Sequence, residues 1–326
     1  MPNFSGKRIF LGLALLWVSA GLMALPAGAQ VSTAPLLEKP APAEEKKEGA
    51  PTTCGPLISD SCVPIETHHA SLQVLWAWSF YRANFSPNWR QVSTRGDFYT
   101  FNMPVKFTYG PTKNLEMYVI VPYIHNLASS VDTPKGERSA DFGSIGDVTA
   151  VAKYLLLPET DCRPAVTGVF GVGFPSGHAH HLNPRFLGED AIGTGAFTFT
   201  TGVNLYKWLK PFLVYSNIWF SAPVNAFRLR DDSAVRSHEY VTFNLAAEYP
   251  LSKRWVVLLE MYSTWTWSNI YTPLGYQSPT TVLGVLPGIE FFLTDKWAFS
   301  VGSAFDLVGK FGGAKITPMF TVYRSF

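Results

Sequence analysis

From about residue 67 to the C-terminus, apolar and polar side chains alternate in runs of roughly ten residues separated by turn-forming residues. In 255–267, Trp255, Val257, Leu259, Met261, Trp265 and Trp267 share one side, and Glu260, Tyr262, Thr264 and Thr266 the other. The same division separates Val241, Phe243, Leu245, Ala247 and Tyr249 from Thr242, Asn244, Ala246 and Glu248. It recurs in 97–109 and 297–308. The spacing predicts about twelve strands, near 67–82, 97–109, 114–125, 143–157, 163–174, 193–206, 211–222, 238–249, 255–267, 281–292, 297–308 and 314–326. Links between them alternate in length. Gly110 to Lys113, Pro158 to Cys162, Lys207 to Lys210, Pro250 to Arg254 and Thr294 to Lys296 are tight, whereas 83–96, 126–142, 175–192, 223–237 and 268–280 are long. Gly309 to Gly313 breaks the rule by being short. A soluble β-sandwich needs no such alternation, but a membrane barrel has short periplasmic turns and longer outer loops. The predicted fold is all-β: a closed antiparallel transmembrane β-barrel of about 12 strands, oily face to lipid.

Composition agrees. The chain is 15% aromatic and only 15% charged, with mean hydropathy +0.09, which is the average of strands that meet lipid on one face and water on the other. Lys7 and Arg8, the apolar run Ile9 to Leu25, and Ala27-Gly28-Ala29 follow the order of a removable signal peptide, with cleavage expected before Gln30. The expected organisation is a signal peptide over 1–29, a Pro-, Ala- and Glu/Lys-rich disordered periplasmic tether over 30–66, and a barrel over 67–326. That places the protein in the cell outer membrane, with its lipid and the barrel-assembly machinery as partners and Phe326 as the membrane-insertion end. A net charge of +2 without a Lys/Arg cluster offers nothing to nucleic acid. Of the three cysteines, Cys54 and Cys62 are close enough for a small disulfide loop that would leave Cys162 over, but any pairing is open.

The strand register turns Lys106, Glu116, Asp147, Lys153, Glu248, Glu260, Glu290 and Asp306 inward, together with Tyr262. Charges of both signs inside a barrel brace it or form a constriction. Tyr118, Tyr215, Trp219 and Tyr323 would add aromatic faces to the lumen, along which an uncharged solute slides. Pro104, Pro122, Pro287 and Pro318 lie within strands, where each deletes a ladder donor and predicts a bulge or kink. His178, His180 and His181 crowd one long loop, yet loop histidines are usually only solvated, and neither metal nor cofactor is expected. Ser176 and His178 are neighbours without an evident third group to orient them, so an enzyme is not expected.

Gly143-Ser144-Ile145-Gly146-Asp147-Val148, then Lys153-Tyr154, then Phe174-Pro175-Ser176-Gly177 resemble the signature of a family of outer-membrane barrels linked to the meta pathway of phenol degradation. The resemblance implies passive transport of small hydrophobic, often aromatic, compounds. The alternatives are a structural or partner-docking barrel and, behind it, a membrane-embedded lipid-modifying enzyme. Asp147 and Lys153 are expected to pair across the wall. Related channels for fatty acids and aromatic hydrocarbons carry an N-terminal plug. The segment before the first strand here is short and charge-rich, so a comparable plug is not expected.

Overall fold

The structure, a computed structural model, describes residues 55–94, 96–134, 136–179, 181–224, 238–267, 270–272 and 275–326. Twelve strands form the barrel wall: β1 (Ala70–Phe85), β3 (Asp97–Thr112), β4 (Leu115–Thr133), β6 (Val148–Leu157), β7 (Ala165–Phe174), β8 (Phe197–Leu209), β9 (Phe212–Val224), β10 (Tyr240–Pro250), β11 (Trp255–Thr266), β14 (Thr281–Thr294), β15 (Trp297–Lys310) and β16 (Gly313–Ser325). The short β2 (Gln91–Val92), β5 (Gly136–Ile145), β12 (Ile270–Thr272) and β13 (Gly275–Gln277) lie beyond the wall's loop end. All neighbours run antiparallel. β16 pairs with β1 from Ser71 opposite Ser325 to Asn84 opposite Gly313, so the twelve-stranded wall closes on itself. Phe326 itself donates its backbone N–H to Ala70, at 2.8 Å, and completes the seam.

The two faces follow the alternation. Trp255, Val257, Leu259, Trp265 and Trp267 are exposed, while Glu260 between them is fully buried. Phe107, Phe170, Ile218, Leu245, Val301 and Leu307 continue this exposed apolar belt around the wall. In water so much exposed oily surface would drive aggregation, but against acyl chains it is the favourable arrangement. The barrel is therefore an outer-membrane barrel. Aromatic pairs such as Trp255 with Phe291, 4.6 Å between ring centroids, and Phe212 with Tyr249, 5.3 Å, mark the turn end of the belt, as interfacial girdles do.

Two expected segments fold otherwise. The loop expected over 126–142 is a hairpin: β4 runs on to Thr133, and β5 returns beside it. The strand expected over 143–157 is two, β5 and β6, parted at Gly146 and Asp147. The cause is Pro122 on β4, which sits between the stretch paired with β6 and the stretch paired with β5. A proline cannot donate to the ladder, and the break lets Gly146 donate to the Pro122 carbonyl at 2.8 Å. Pro104 lies directly opposite Pro122. Their missing donors share one site.

The largest departure lies before the first strand. The described part of the expected tether, residues 55–66, does not trail into the periplasm but enters the barrel. Too few large apolar residues exclude an independent core, yet they do not exclude a segment whose backbone is bonded by groups the lumen supplies.

Candidate solute path and the segment that closes it

Ser61 and Ile65 border one lumen cavity, Ile58 the other, and Gly55 lies beside Ser61 again, so the segment enters at the turn end, reaches mid-barrel and turns back. Its deepest stretch meets Glu260. The Glu260 carboxylate accepts backbone N–H groups from Leu57 (2.6 Å), Ile58 (3.2 Å) and Ser59 (2.7 Å). Three successive amides pointing one way make a concave anion seat. Leu57 and Ile58 also pack against the buried cluster of Leu258, Leu286 and Ala304, as Tyr262 and Met319 do. Gly302 leaves the room: a Cβ there would lie 2.9 Å from Leu57 Cδ1.

Asp60 is the second anchor. Asn217 accepts its N–H at 2.8 Å and donates to its carbonyl at 2.9 Å, copying the two bonds of a strand neighbour. The Asp60 carboxylate meets Lys153 Nζ at 3.2 Å, Lys106 Nζ at 3.4 Å and Asn204 Nδ2 at 3.0 Å. Lys153, fully buried, also holds Glu116 at 2.7 Å and the Ser61 carbonyl at 2.9 Å. Beyond Asp60, Thr167 donates to the Cys62 carbonyl at 2.6 Å, and Ile65 donates to Glu116 at 2.8 Å. Lys106 Nζ stands 4.0 Å over the Tyr118 ring.

The segment thus divides the lumen. On the turn side is a cavity of 910 Å³, bordered by Lys106, Glu116, Leu155, Tyr206, Leu213, Tyr215 and Tyr323. On the loop side is one of 420 Å³, lined by Thr149, Thr198, Thr200, Thr242, Asn244 and Thr264 with Trp219, Tyr240 and Tyr262. The first holds the charges; the second is almost wholly uncharged, Asp147 excepted.

The expected inward residues fall into separate groups. Lys106, Glu116, Lys153 and Glu260 converge on the segment. Glu248 and Glu290 are fully buried, and Tyr215 donates to Glu248 at 3.1 Å. Tyr262 donates to Asp306 at 2.8 Å, which braces β11 against β15. Asp147 does not pair with Lys153, whose partners are Glu116 and Asp60. It accepts instead from Gly177 N at 2.9 Å, and from Thr194 N and Oγ1, both at 2.7 Å. Placed at the break between β5 and β6, its carboxylate faces the long loop and fastens both ends of that loop over the lumen. A Cβ at Gly177 would run into the Ile192 carbonyl and Asp147, so only glycine lets the loop approach so closely. In this loop, burial first and Asp190 second raise the Glu189 carboxyl above its ordinary range. Asp147→Ala removes three bonds to a charged group, about 2–4 kcal/mol of loop docking. It is expected to speed proteolysis within 175–196 while the barrel keeps its shifted mobility on an unheated gel.

Other sequence candidates separate. Ser176 donates to the Gly146 carbonyl, and His178 Nδ1 is bonded to the Asp190 carbonyl, so neither faces the other. His180 lies outside the described residues, among which no metal-ligand cluster forms. Cys62, expected as half of a small loop with Cys54, is a free buried thiol 3.2 Å from Thr167 Oγ1; Cys162 is free and exposed, and Cys54 lies outside the described residues. Sequence reasoning missed Asp60, Thr167, Asn204 and Asn217. The two asparagines carried a signal, since asparagine is depleted in strands and these face each other across β8 and β9, both inward.

No family model matches the chain, and no curated protein matches it in sequence. Solved structures do resemble it. The COG4313 outer membrane channel from Pseudomonas putida F1 overlays with a TM-score of 0.62 at 13% identity, covering 81% of this chain and 98% of that one. The translocator domain of the autotransporter NalP from Neisseria meningitidis gives 0.46 at 11%, covering 80% and 90%. The CymD monoaromatic hydrocarbon channel gives 0.41 at 10%, covering 80% and 89%. The first of these speaks for the fold, a closed barrel of outer-membrane type, and at its identity for the fold alone.

Proposed function

We propose that this chain is a passive outer-membrane channel for small hydrophobic compounds, aromatic ones among them, exported by the signal peptide 1–29 and gated by its own residues 55–66. The observation that carries the reading is the divided lumen: two vestibules, of 910 and 420 Å³, meet at a segment held by hydrogen bonds, ion pairs and the packing of Leu57 and Ile58, with the Cys62 thiol free. Bonds of that kind exchange with water on withdrawal, so the segment can leave without breaking a covalent bond. The loop-side vestibule suits an uncharged solute. Its threonine methyls and aromatic faces offer apolar contact, and its hydroxyls accept whatever polar group the solute carries. The description of the COG4313 barrel as an outer membrane channel supports the same class. Lys106, Glu116, Lys153 and Glu260 set the constriction through the segment they hold. Tyr118, Tyr215, Trp219 and Tyr323 supply the aromatic wall.

Proteoliposomes containing the full chain are expected to swell several-fold faster in benzyl alcohol than protein-free liposomes, and to show no such gain with a trisaccharide. Equal rates with and without protein would sink the channel reading. They would favour the barrel as a structural element.

A further inference from the structure

The Asp60 carboxylate occupies a site built for a carboxylate. Two ammonium groups and one amide converge on it, from β3, β6 and β8, strands separated in sequence but adjacent to the same point of the lumen. The amide is not free to rotate. Trp219 Nε1 donates to Asn204 Oδ1 at 2.7 Å, which leaves Nδ2 to face the carboxylate. Tyr118 lies beneath both lysines, 4.0 Å from Lys106 Nζ and 5.6 Å from Lys153 Nζ, and holds them by their charge. All these groups belong to the wall. They stay when the segment leaves.

What remains then is an incomplete charge set: two lysines against Glu116, one positive charge in excess. A buried cation without its partner is costly, so the vacated site attracts one negative charge and no more. It is also reachable. Lys106 keeps 23% of its side chain exposed and borders the 910 Å³ turn-side cavity, where Leu155, Leu213, Tyr206 and Tyr215 offer apolar and aromatic surface. The cavity is of a size that encloses a small-molecule ring.

We infer that Lys106, Lys153 and Asn204 form a recognition site for a small aromatic monocarboxylate, which Asp60 fills in the closed barrel as an internal stand-in. Solute carboxylate and Asp60 compete for the same donors. Binding of one releases the other, so the solute loosens the stopper that bars its path. A tethered carboxylate acts at millimolar effective concentration or above, and a free acid therefore has to be abundant before it wins. The site adds a charged solute class to the neutral one proposed above, and it stands or falls separately.

The test uses full-length protein in detergent at low salt, with benzoate and its neutral counterpart benzyl alcohol as probes. By isothermal titration, benzoate is expected to bind Asp60→Ala at least about tenfold more tightly than wild type, the excess expected when an internal competitor is removed. Benzyl alcohol should bind the two alike. Adding Lys106→Gln to Asp60→Ala should abolish the gain. In the wild type, the buried Cys62 thiol reports the segment's position: millimolar benzoate should speed its alkylation several-fold, read by peptide mass, and benzyl alcohol should not. Equal benzoate affinity in both proteins overturns the inference, as does an acceleration that benzyl alcohol shares. If Asp60→Ala gives no heat-modifiable barrel, the wild-type alkylation experiment decides by the same criterion. Failure of neutral-solute swelling would sink the channel reading and leave this result untouched.

Discussion

Glu260→Ala is expected to raise the single-channel conductance of the reconstituted barrel several-fold and to expose Cys62 to alkylation. The reason is local. One buried carboxylate accepts three consecutive backbone amides, from Leu57, Ile58 and Ser59, and among the described residues no other side chain bonds those amides. Hydrogen bonds to a charged group contribute about 1.5–3 kcal/mol each, and lumen water recovers much of that, so a net loss of about 3 kcal/mol for the three together is reasonable. That shifts the ratio of seated to withdrawn segment by about a hundredfold. The wall should be indifferent to the change. Glu260 sits mid-strand in β11, whose ladders to β10 and β14 are backbone bonds that alanine preserves. Unaltered conductance together with unaltered Cys62 protection would mean that the segment is held elsewhere, or that it does not close the path.

Lys153→Met should be more damaging, and to the wall as well as to the segment. Lys153 is fully buried between Glu116 at 2.7 Å and Asp60 at 3.2 Å. Removing it leaves two buried carboxylates with their main counter-charge gone, and breaking a buried ion pair from one side costs about 3–5 kcal/mol. The temperature at which the barrel loses its compact mobility on a gel should fall accordingly. Glu116→Gln in the same chain removes one stranded charge and should recover a substantial part of the loss, while Glu116→Gln alone should cost less than Lys153→Met. Additive losses in the double variant would show that Lys153 and Glu116 act independently, against the geometry.

Much of the wall was legible because the lipid and lumen faces impose opposite demands on successive residues. The alternation in 255–267 predicted that Glu260 faces inward and Leu259 outward, and the structure places them so. The turn at Gly110 to Lys113 and the short link at Gly309 to Gly313 fall where β3 meets β4 and where β15 meets β16. The strand expected over 143–157 failed because its break depends on Pro122, which belongs to a different strand. The pairing of Asp147 was misjudged for a similar reason. Counting inward positions sets its direction along the strand, whereas the break at Gly146 turns it toward Gly177 and Thr194.

Inward charges were thus readable, and their partners were not. Glu116, Lys153 and Glu260 announce themselves as polar groups on the lumen face. Asp60 lies in a stretch whose composition gives no periodicity at all, and its backbone is satisfied by Asn217, 157 residues away.

The sequence by itself determined an antiparallel barrel, its inner and outer faces and its short-turn end, because a two-residue period and the oiliness of lipid act locally on each strand. Only the tertiary structure decided that residues 55–66 enter the lumen and that Lys153 serves Asp60. The contacts that Glu260 and Lys153 make with that segment span 203 and 93 residues of chain, where direction and distance depend on how the whole sheet curls and not on any neighbour in the chain.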